Sequence, residues 1–162
     1  MKINCTVLVD NILHSVHYGE KQLDVVGGTN DMKTFSFEVS QRSTDNRELK
    51  FGVEVTDTDK EGCCTGCGQN CGGLILQCKA RDQTGNDNPW HKFKSNNNDE
   101  WHSDEEGVEI CENKSSENKL KDAALDEVEE LLKAGADVIL AKGRMNNAVL
   151  VGSPRKVAKN HN

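Results

Sequence analysis

Hydrophobic and polar side chains alternate along several stretches in the first half of the chain. A period of two is typical of a strand with one buried face and one solvated face. Glycine and Asx residues at 18–21 (YGEK) and 27–31 (GGTND) supply turn chemistry between these stretches. No helical period precedes residue 115, so the pattern predicts a mainly β protein, an antiparallel β-sandwich of the jelly-roll type. The predicted inward positions are Ile3, Cys5, Val7, Val9, Phe35, Phe37, Val39, Leu49, Phe51, Val53, Val55, Leu74, Leu76, Cys78 and Ala80.

After Ser116 the pattern becomes that of an amphipathic helix, in KLKDAALDEVEELLKAG, with Gly135 where a C-cap is expected. DVILAK and AVLVG then predict two strands joined by GRMNN as a β-hairpin. We therefore expect a sandwich domain at 1–112 and a helix-hairpin extension at 113–162. The extension would pack on the sandwich or, through residues 117–151, on a second copy of the chain. The apolar stripe of the helix comprises Leu120, Ala124, Val128 and Leu131, with Leu125 and Leu132 beside it.

Composition limits the class of protein. The chain has 162 residues, enough for one ordinary domain with a core, and a formal net charge of -7. An acidic balance argues against a general nucleic-acid binder, which needs clustered Lys and Arg. No stretch approaches the roughly 18–20 apolar residues of a membrane span. The N-terminal MKINCTVLVDNILHSV is interrupted by polar residues, so we interpret it as a strand and not as a signal peptide.

Four of the seven cysteines lie in GCCTGCGQNCGG at 62–73, inside a loop at 57–73 with almost no hydrophobic side chains. Disulfides would replace packing there, and they require an oxidising compartment. Zinc is the weaker interpretation, since the loop offers a single C-x2-C knuckle where structural sites use two. Free thiols are a further alternative, and an odd count leaves one cysteine over or pairs it between chains. The disulfide candidates are Cys5, Cys63, Cys64, Cys67, Cys71, Cys78 and Cys111.

The polar stretch 83–104 contains Trp90, Phe93 and Trp101 in a chain that is only 4% aromatic. These rings would either cover one end of the core or form a platform on which sugars stack. Two N-glycosylation sequons, beginning at Asn4 and Asn113, are compatible with secretion.

Several segments together resemble the galactose-binding-like jelly-roll carbohydrate-binding modules over residues 1–105. They are VDN at 9–11, a turn at 16–19, FSFEV, FGVEVTD, GGLILQC and PW-x2-F-x-S ahead of Trp101. The asparagine usual in the family's turn is absent here, since His17-Tyr18-Gly19-Glu20 replaces it. The resemblance implies a sandwich that binds glycans through its loops and often carries a structural calcium. Oxygen donors at strand ends that would hold calcium are Asp10, Asn11, Asp57 and Asp59.

These observations predict a glycan-binding, lectin-like module of a secreted or cell-surface protein. We expect no enzyme, because the chain has no nucleophile elbow, phosphate loop, H-E-x-x-H or dinucleotide fingerprint. The alternatives are a structural, oligomerising protein cross-linked by disulfides and an intracellular metal-binding protein with thiolates at Cys64, Cys67, Cys71 and Cys78. Calcium is the expected cofactor ahead of zinc. The predicted glycan-binding residues are Tyr18, Trp90, His91, Asn96, Asn97, Asn98, Asp99 and Trp101.

Overall fold

The computed structural model describes residues 2–10, 12–25, 34–40, 47–54, 73–80, 93–96, 100–106, 108–141 and 148–152. For residues 2, 34–40, 54, 80, 115 and 148 it describes the backbone alone. In chain order the elements are β1 (Lys2–Asp10), β2 (Ile12–Tyr18), β3 (Lys21–Gln22), β4 (Thr34–Ser40), β5 (Leu49–Glu54), β6 (Gly73–Ala80), β7 (Trp101–Ser103), β8 (Ile110–Glu112), α1 (Lys114–Lys133), β9 (Ile139–Ala141) and β10 (Ala148–Gly152).

The strands form two five-stranded antiparallel sheets. Sheet A has the order β4-β1-β6-β9-β8, and sheet B has the order β3-β2-β5-β10-β7. Two strands that follow each other in the chain lie in different sheets and occupy the same position in the order of their sheet. This holds for the pairs β1/β2, β3/β4, β5/β6, β7/β8 and β9/β10. The predicted antiparallel β-sandwich is confirmed.

The main core lies between the two sheets. Inward side chains of β1 and β6 meet those of β2, β5 and β10, and almost all of them are fully buried. The alternation in the sequence predicted this face, because successive side chains of a strand point to opposite sides. Described members from sheet A are Ile3, Cys5, Val7, Val9, Leu74, Leu76, Cys78, Ile110, Ile139 and Ala141, and those from sheet B are Leu13, Val16, Tyr18, Leu49, Phe51, Val53, Trp101 and Leu150.

A second, smaller core lies on the outer face of sheet A, beneath α1. Leu8 and Ile75 point outward from directly opposite positions of β1 and β6, and both are fully buried. The apolar stripe of α1 covers them, so that face needs no second chain to bury it. The members of this cluster are Leu8, Ile75, Leu120, Val128, Leu131, Ala136 and Val138, with Ala124 and Leu132 packed against it. Leu125, at the edge of the predicted stripe, is exposed.

The structure differs from the predicted C-terminal hairpin. The two strands exist, but β9 pairs with β6 and β8 in sheet A, whereas β10 pairs with β5 and β7 in sheet B. The physical reason is burial on both faces, since Ile139, Leu140 and Ala141 are all buried and Leu150 and Val151 are buried together. In a terminal hairpin each of the two strands would have one neighbour, whereas β9 and β10 each lie between two strands whose side chains cover them from both edges. Residues 113–162 therefore contribute to both sheets of the sandwich.

Candidate functional site

Cys5 on β1 and Cys78 on β6 are directly opposite each other and form a disulfide on the inner face of sheet A. Each is 1% exposed. Because side chains alternate across a strand, the residues on either side of each cysteine point to the outer face. The disulfide therefore ties together two strands whose outer faces carry the neighbouring polar residues.

Those outer residues form two directly opposed polar pairs. Asn4 lies opposite Lys79, and Thr6 lies opposite Gln77. Asn4, Thr6 and Gln77 are half-buried, and Lys79 is exposed. Further along the same ladder the outward pair is apolar, Leu8 with Ile75, and it is the pair that α1 covers.

The second half of α1 forms a wall above this polar floor. Glu127, Glu130 and Leu131 face the floor across a groove of about 370 Å³. The two glutamates are one helical turn apart and exposed, whereas Leu131 is 4% exposed. The groove is therefore lined by two amides, a hydroxyl, an ammonium group, two carboxylates and one leucine: Asn4, Thr6, Gln77, Lys79, Glu127, Glu130 and Leu131.

A buried polar network holds the N-terminus of α1 on β1. The Asn113 Oδ1 accepts a hydrogen bond from the Ser116 N–H at 3.2 Å, as an N-cap does. The Asn113 Nδ2 donates to Ser116 Oγ at 3.1 Å, and Ser116 Oγ donates to Asp10 Oδ2 at 3.1 Å. Asp10 and Asn113 are each 1% exposed, and Ser116 is fully buried.

Acidic and basic side chains surround the first turn of the helix. Lys114 Nζ donates to Glu117 Oε1 at 3.3 Å, and Lys121 Nζ lies 3.7 Å from Glu117 Oε2. The hydrogen bond and the charge of Glu117 raise the pKa of Lys114 above its usual value. A carboxylate in this turn complements the positive end of the helix dipole.

The helix α1 is terminated at its C-terminal end by the predicted glycine, Gly135. Gly135 has a φ of 93°, a conformation that glycine adopts without steric cost. Its N–H donates to the Leu132 carbonyl at 2.9 Å, and the Ala136 N–H donates to the Leu131 carbonyl at 3.0 Å, which is a Schellman motif. Lys94 Nζ also donates to the Ala134 carbonyl at 2.9 Å, so a cation sits at the negative end of the helix.

Ser95 connects this helix end to the floor of the groove. Its Oγ accepts from the Leu76 N–H at 2.9 Å and donates to the Asp137 carbonyl at 2.6 Å. Its backbone pairs with the same two residues, through Ser95 N–H to the Leu76 carbonyl at 3.0 Å and Asp137 N–H to the Ser95 carbonyl at 2.9 Å. Both ends of α1 are thus fixed to sheet A, and this sets the distance between wall and floor.

Two of the predicted sugar-stacking residues belong to the core. Trp101 is 4% exposed, stacks on Phe93 with ring centroids 5.4 Å apart, and donates its Nε1 hydrogen to the Lys94 carbonyl at 2.8 Å. Tyr18 is 3% exposed, with the Arg47 guanidinium 5.3 Å from its ring centroid. Their burial between the sheets corrects the prediction for these two rings, because neither presents a face to a ligand.

Of the other residues predicted to bind a glycan, one is described by the structure and the rest are not. Asn96 is described and half-buried, and its Oδ1 atom is buried with no hydrogen-bond partner among the described residues. It does not line the groove. The other predicted ligands lie outside the described residues, namely Trp90, His91, Asn97, Asn98 and Asp99.

Of the predicted calcium ligands, Asp10 is described, and it accepts the hydrogen bond from Ser116 at the helix N-terminus. Asn11, Asp57 and Asp59 lie outside the described residues. Within the part of the chain that the structure describes, no three His, Cys, Asp or Glu side chains are grouped as a metal site would require.

The cysteine predictions are confirmed where the structure describes them. Cys5 and Cys78 are bridged, and Cys111, 6% exposed, is also disulfide-bonded. Cys78 is therefore not available as the fourth thiolate of the metal-binding alternative. Cys63, Cys64, Cys67 and Cys71 lie outside the described residues.

The sequence patterns did not predict the groove residues as a binding site. Asn4, Thr6, Gln77 and Lys79 are the outward positions of strands that were predicted from their inward ones. The sequence did contain one indication of the groove. Leu8 and Ile75 are apolar, although they lie on the same outward face of β1 and β6 as the polar groove residues. Apolar residues on an outward face indicate that another layer covers part of it, and the polar remainder then borders that layer.

Comparison with protein-family models, with curated proteins and with solved structures finds no match to this chain. Within the described residues, no helix is both long enough and apolar enough to cross a membrane.

Proposed function

We propose that this protein is a glycan-binding module of a secreted or cell-surface protein, and that the groove between α1 and the outer face of β1 and β6 is its binding site. The observation that carries the proposal is the groove itself. Its volume of about 370 Å³ is at the lower end of the roughly 300–1,000 Å³ of small-molecule sites. That size suits a ligand of one or two sugar rings.

The chemistry of the lining supports a polyhydroxylated ligand. A sugar hydroxyl both donates and accepts hydrogen bonds, and the side-chain amides of Asn4 and Gln77 do the same in a fixed plane. Thr6, two positions from Asn4 on β1 and directly opposite Gln77, adds a hydroxyl to the floor. Leu131 offers an apolar contact for the C–H face of a sugar ring, in place of the aromatic floor that we predicted from the sequence.

The rigidity of the floor and wall supports a binding role over a chance depression. The disulfide fixes β1 against β6, Ser116 of α1 is hydrogen-bonded to Asp10 on β1, and Asp137, just after α1, is hydrogen-bonded to Ser95, which pairs with Leu76 on β6. A site whose groups are held in place before the ligand arrives loses less entropy on binding. The disulfides are also in keeping with an oxidising, extracellular compartment.

A glycan array probed with the intact, oxidised protein, with and without calcium, tests the proposal. We expect binding that weakens in Gln77→Ala and Lys79→Ala. The matched control is Lys50→Ala, because Lys50 is an exposed lysine on β5 of the other sheet. The proposal fails if no glycan is retained, or if Lys79→Ala and Lys50→Ala bind equally well.

A further inference from the structure

We infer that the groove selects glycans that carry a protonated amine, such as oligosaccharides of glucosamine, and discriminates against anionic sugars such as uronic acids. This inference rests on the proposed function and adds a ligand class to it. It comes from the charges that line the groove.

The groove lining has an excess of negative charge. Glu127 and Glu130 contribute two carboxylates from the wall, whereas Lys79 contributes the one ammonium group among the described lining residues. Because the glutamates are three positions apart on a helix, their side chains are neighbours on one face. Two carboxylates facing the same space favour a cation there.

The helix dipole and the charged residues near the groove add to its negative electrostatic potential. Glu127 and Glu130 lie in the second half of α1, where the helix dipole is negative. Asp126 and Glu129 are exposed on the same half, and Lys133 is the exposed cation nearest to them in sequence. The ammonium group of Lys94 is bonded to the Ala134 carbonyl at the helix end.

The floor explains why a sugar, and not any cation, would bind. Asn4, Thr6 and Gln77 present neutral donors and acceptors next to the carboxylates. A ligand that pairs an amine with hydroxyl groups would satisfy wall and floor together. Lys79, at the Asn4 end of the floor, would donate a hydrogen bond to a hydroxyl or ring oxygen of the sugar, which leaves the carboxylates for the amine.

Calorimetric titration with three trisaccharides of the same linkage tests this, using cellotriose, chitotriose and its fully deacetylated form, with trigalacturonate as the anionic probe. Exposed ion pairs contribute about 0.2–1 kcal/mol each, so with one pair to each of the two glutamates we expect the deacetylated trimer to bind roughly two- to thirtyfold more tightly than cellotriose. Added salt should reduce that preference. Trigalacturonate should bind most weakly.

The glutamate variants identify the groups responsible. In the double variant Glu127→Gln/Glu130→Gln the ratio of the affinities for the amine trimer and for cellotriose should fall to about one, whereas in Glu129→Gln, exposed on the same helix, most of that preference should remain. Equal binding of the neutral and amine trimers overturns this inference and leaves the proposed function standing. Failure of the protein to bind these probes or any glycan on the array overturns both.

Discussion

Cys5 and Cys78 are directly opposite each other on β1 and β6, and their disulfide lies behind the floor of the groove. The bridged residues are flanked by Asn4 and Thr6 on one strand and by Gln77 and Lys79 on the other. One covalent bond thus constrains both the core and the spacing of the four polar groups on the opposite face.

Replacing both cysteines, in Cys5→Ala/Cys78→Ala, should lower the free energy of unfolding by about 2–4 kcal/mol, because the unfolded chain is no longer constrained by a closed loop. The bridge spans a sequence separation of 73 residues. Guanidinium denaturation of the two proteins without reductant measures the difference. An unchanged midpoint would contradict the role given to the bridge. Weaker glycan binding at a temperature where the variant is fully folded would connect the bridge to the groove floor.

The substitution Asn113→Ala should destabilise the protein by about 1–2 kcal/mol, because it removes the helix cap and with it two hydrogen bonds of Ser116. Urea denaturation measures the loss. Asn118→Ala is the matched control, since Asn118 is exposed on the same helix. We expect the control to change stability by less than about 0.5 kcal/mol. Equal losses would mean that the cap has no special role.

The substitution Gly73→Ala should be costly because the structure leaves no room for a methyl group at this position. A Cβ there would lie 2.6 Å from Val138 Cγ1 and 3.0 Å from Ser116 Cβ. Overpacking of this kind costs about 1–3 kcal/mol, which thermal unfolding would detect. In Gly52→Ala the nearest atom is the Ser15 hydroxyl oxygen at 2.9 Å, which can rotate away, so that control should lose less.

A double-mutant cycle sharpens this test. Val138→Ala removes the atom that the new methyl group would meet, so Gly73→Ala should cost less in a Val138→Ala background than in the native one. Additive losses would show that the two positions do not touch.

Removing residues 113–162 should abolish folding, although the alternation pattern suggested that 1–112 is a domain. The deletion takes away β9 from sheet A, β10 from sheet B and the helix over Leu8 and Ile75. We expect no cooperative thermal transition and poor dispersion in an amide NMR spectrum. A cooperatively unfolding fragment would instead support the division at residue 112.

The parts of the fold that depend on local pattern could be predicted from the sequence. The inward rows of β1 and β6 follow from alternation, and Gly135 followed from the position of the helix end. The groove could not be predicted in this way, because it depends on the register that sets Asn4 opposite Lys79 and on the packing of α1 over Leu8 and Ile75. Register and helix packing are long-range properties.

The burial of the aromatic residues could not be predicted from the sequence either. A tryptophan in a polar stretch can be buried or displayed, and composition does not distinguish the two. Trp101 is buried because Phe93 and Phe51 provide ring contacts and the Lys94 carbonyl accepts its indole hydrogen. Phe51 comes from β5, whereas Phe93 and Lys94 lie earlier in the same polar stretch as Trp101, so these contacts depend on how that stretch folds back on itself and onto sheet B.

The pairing of consecutive strands between the two sheets also governs the order in which the protein can fold during synthesis. When β8 has left the ribosome, both sheets are still split, since β9 separates β6 from β8 and β10 separates β5 from β7. The halves with β1, β4 and β6 and with β2, β3 and β5 can form first, and Cys5 can already meet Cys78. Their open edges remain exposed to other nascent chains until β9 and β10 have left the ribosome, so both sheets of the described fold are completed by its C-terminal strands.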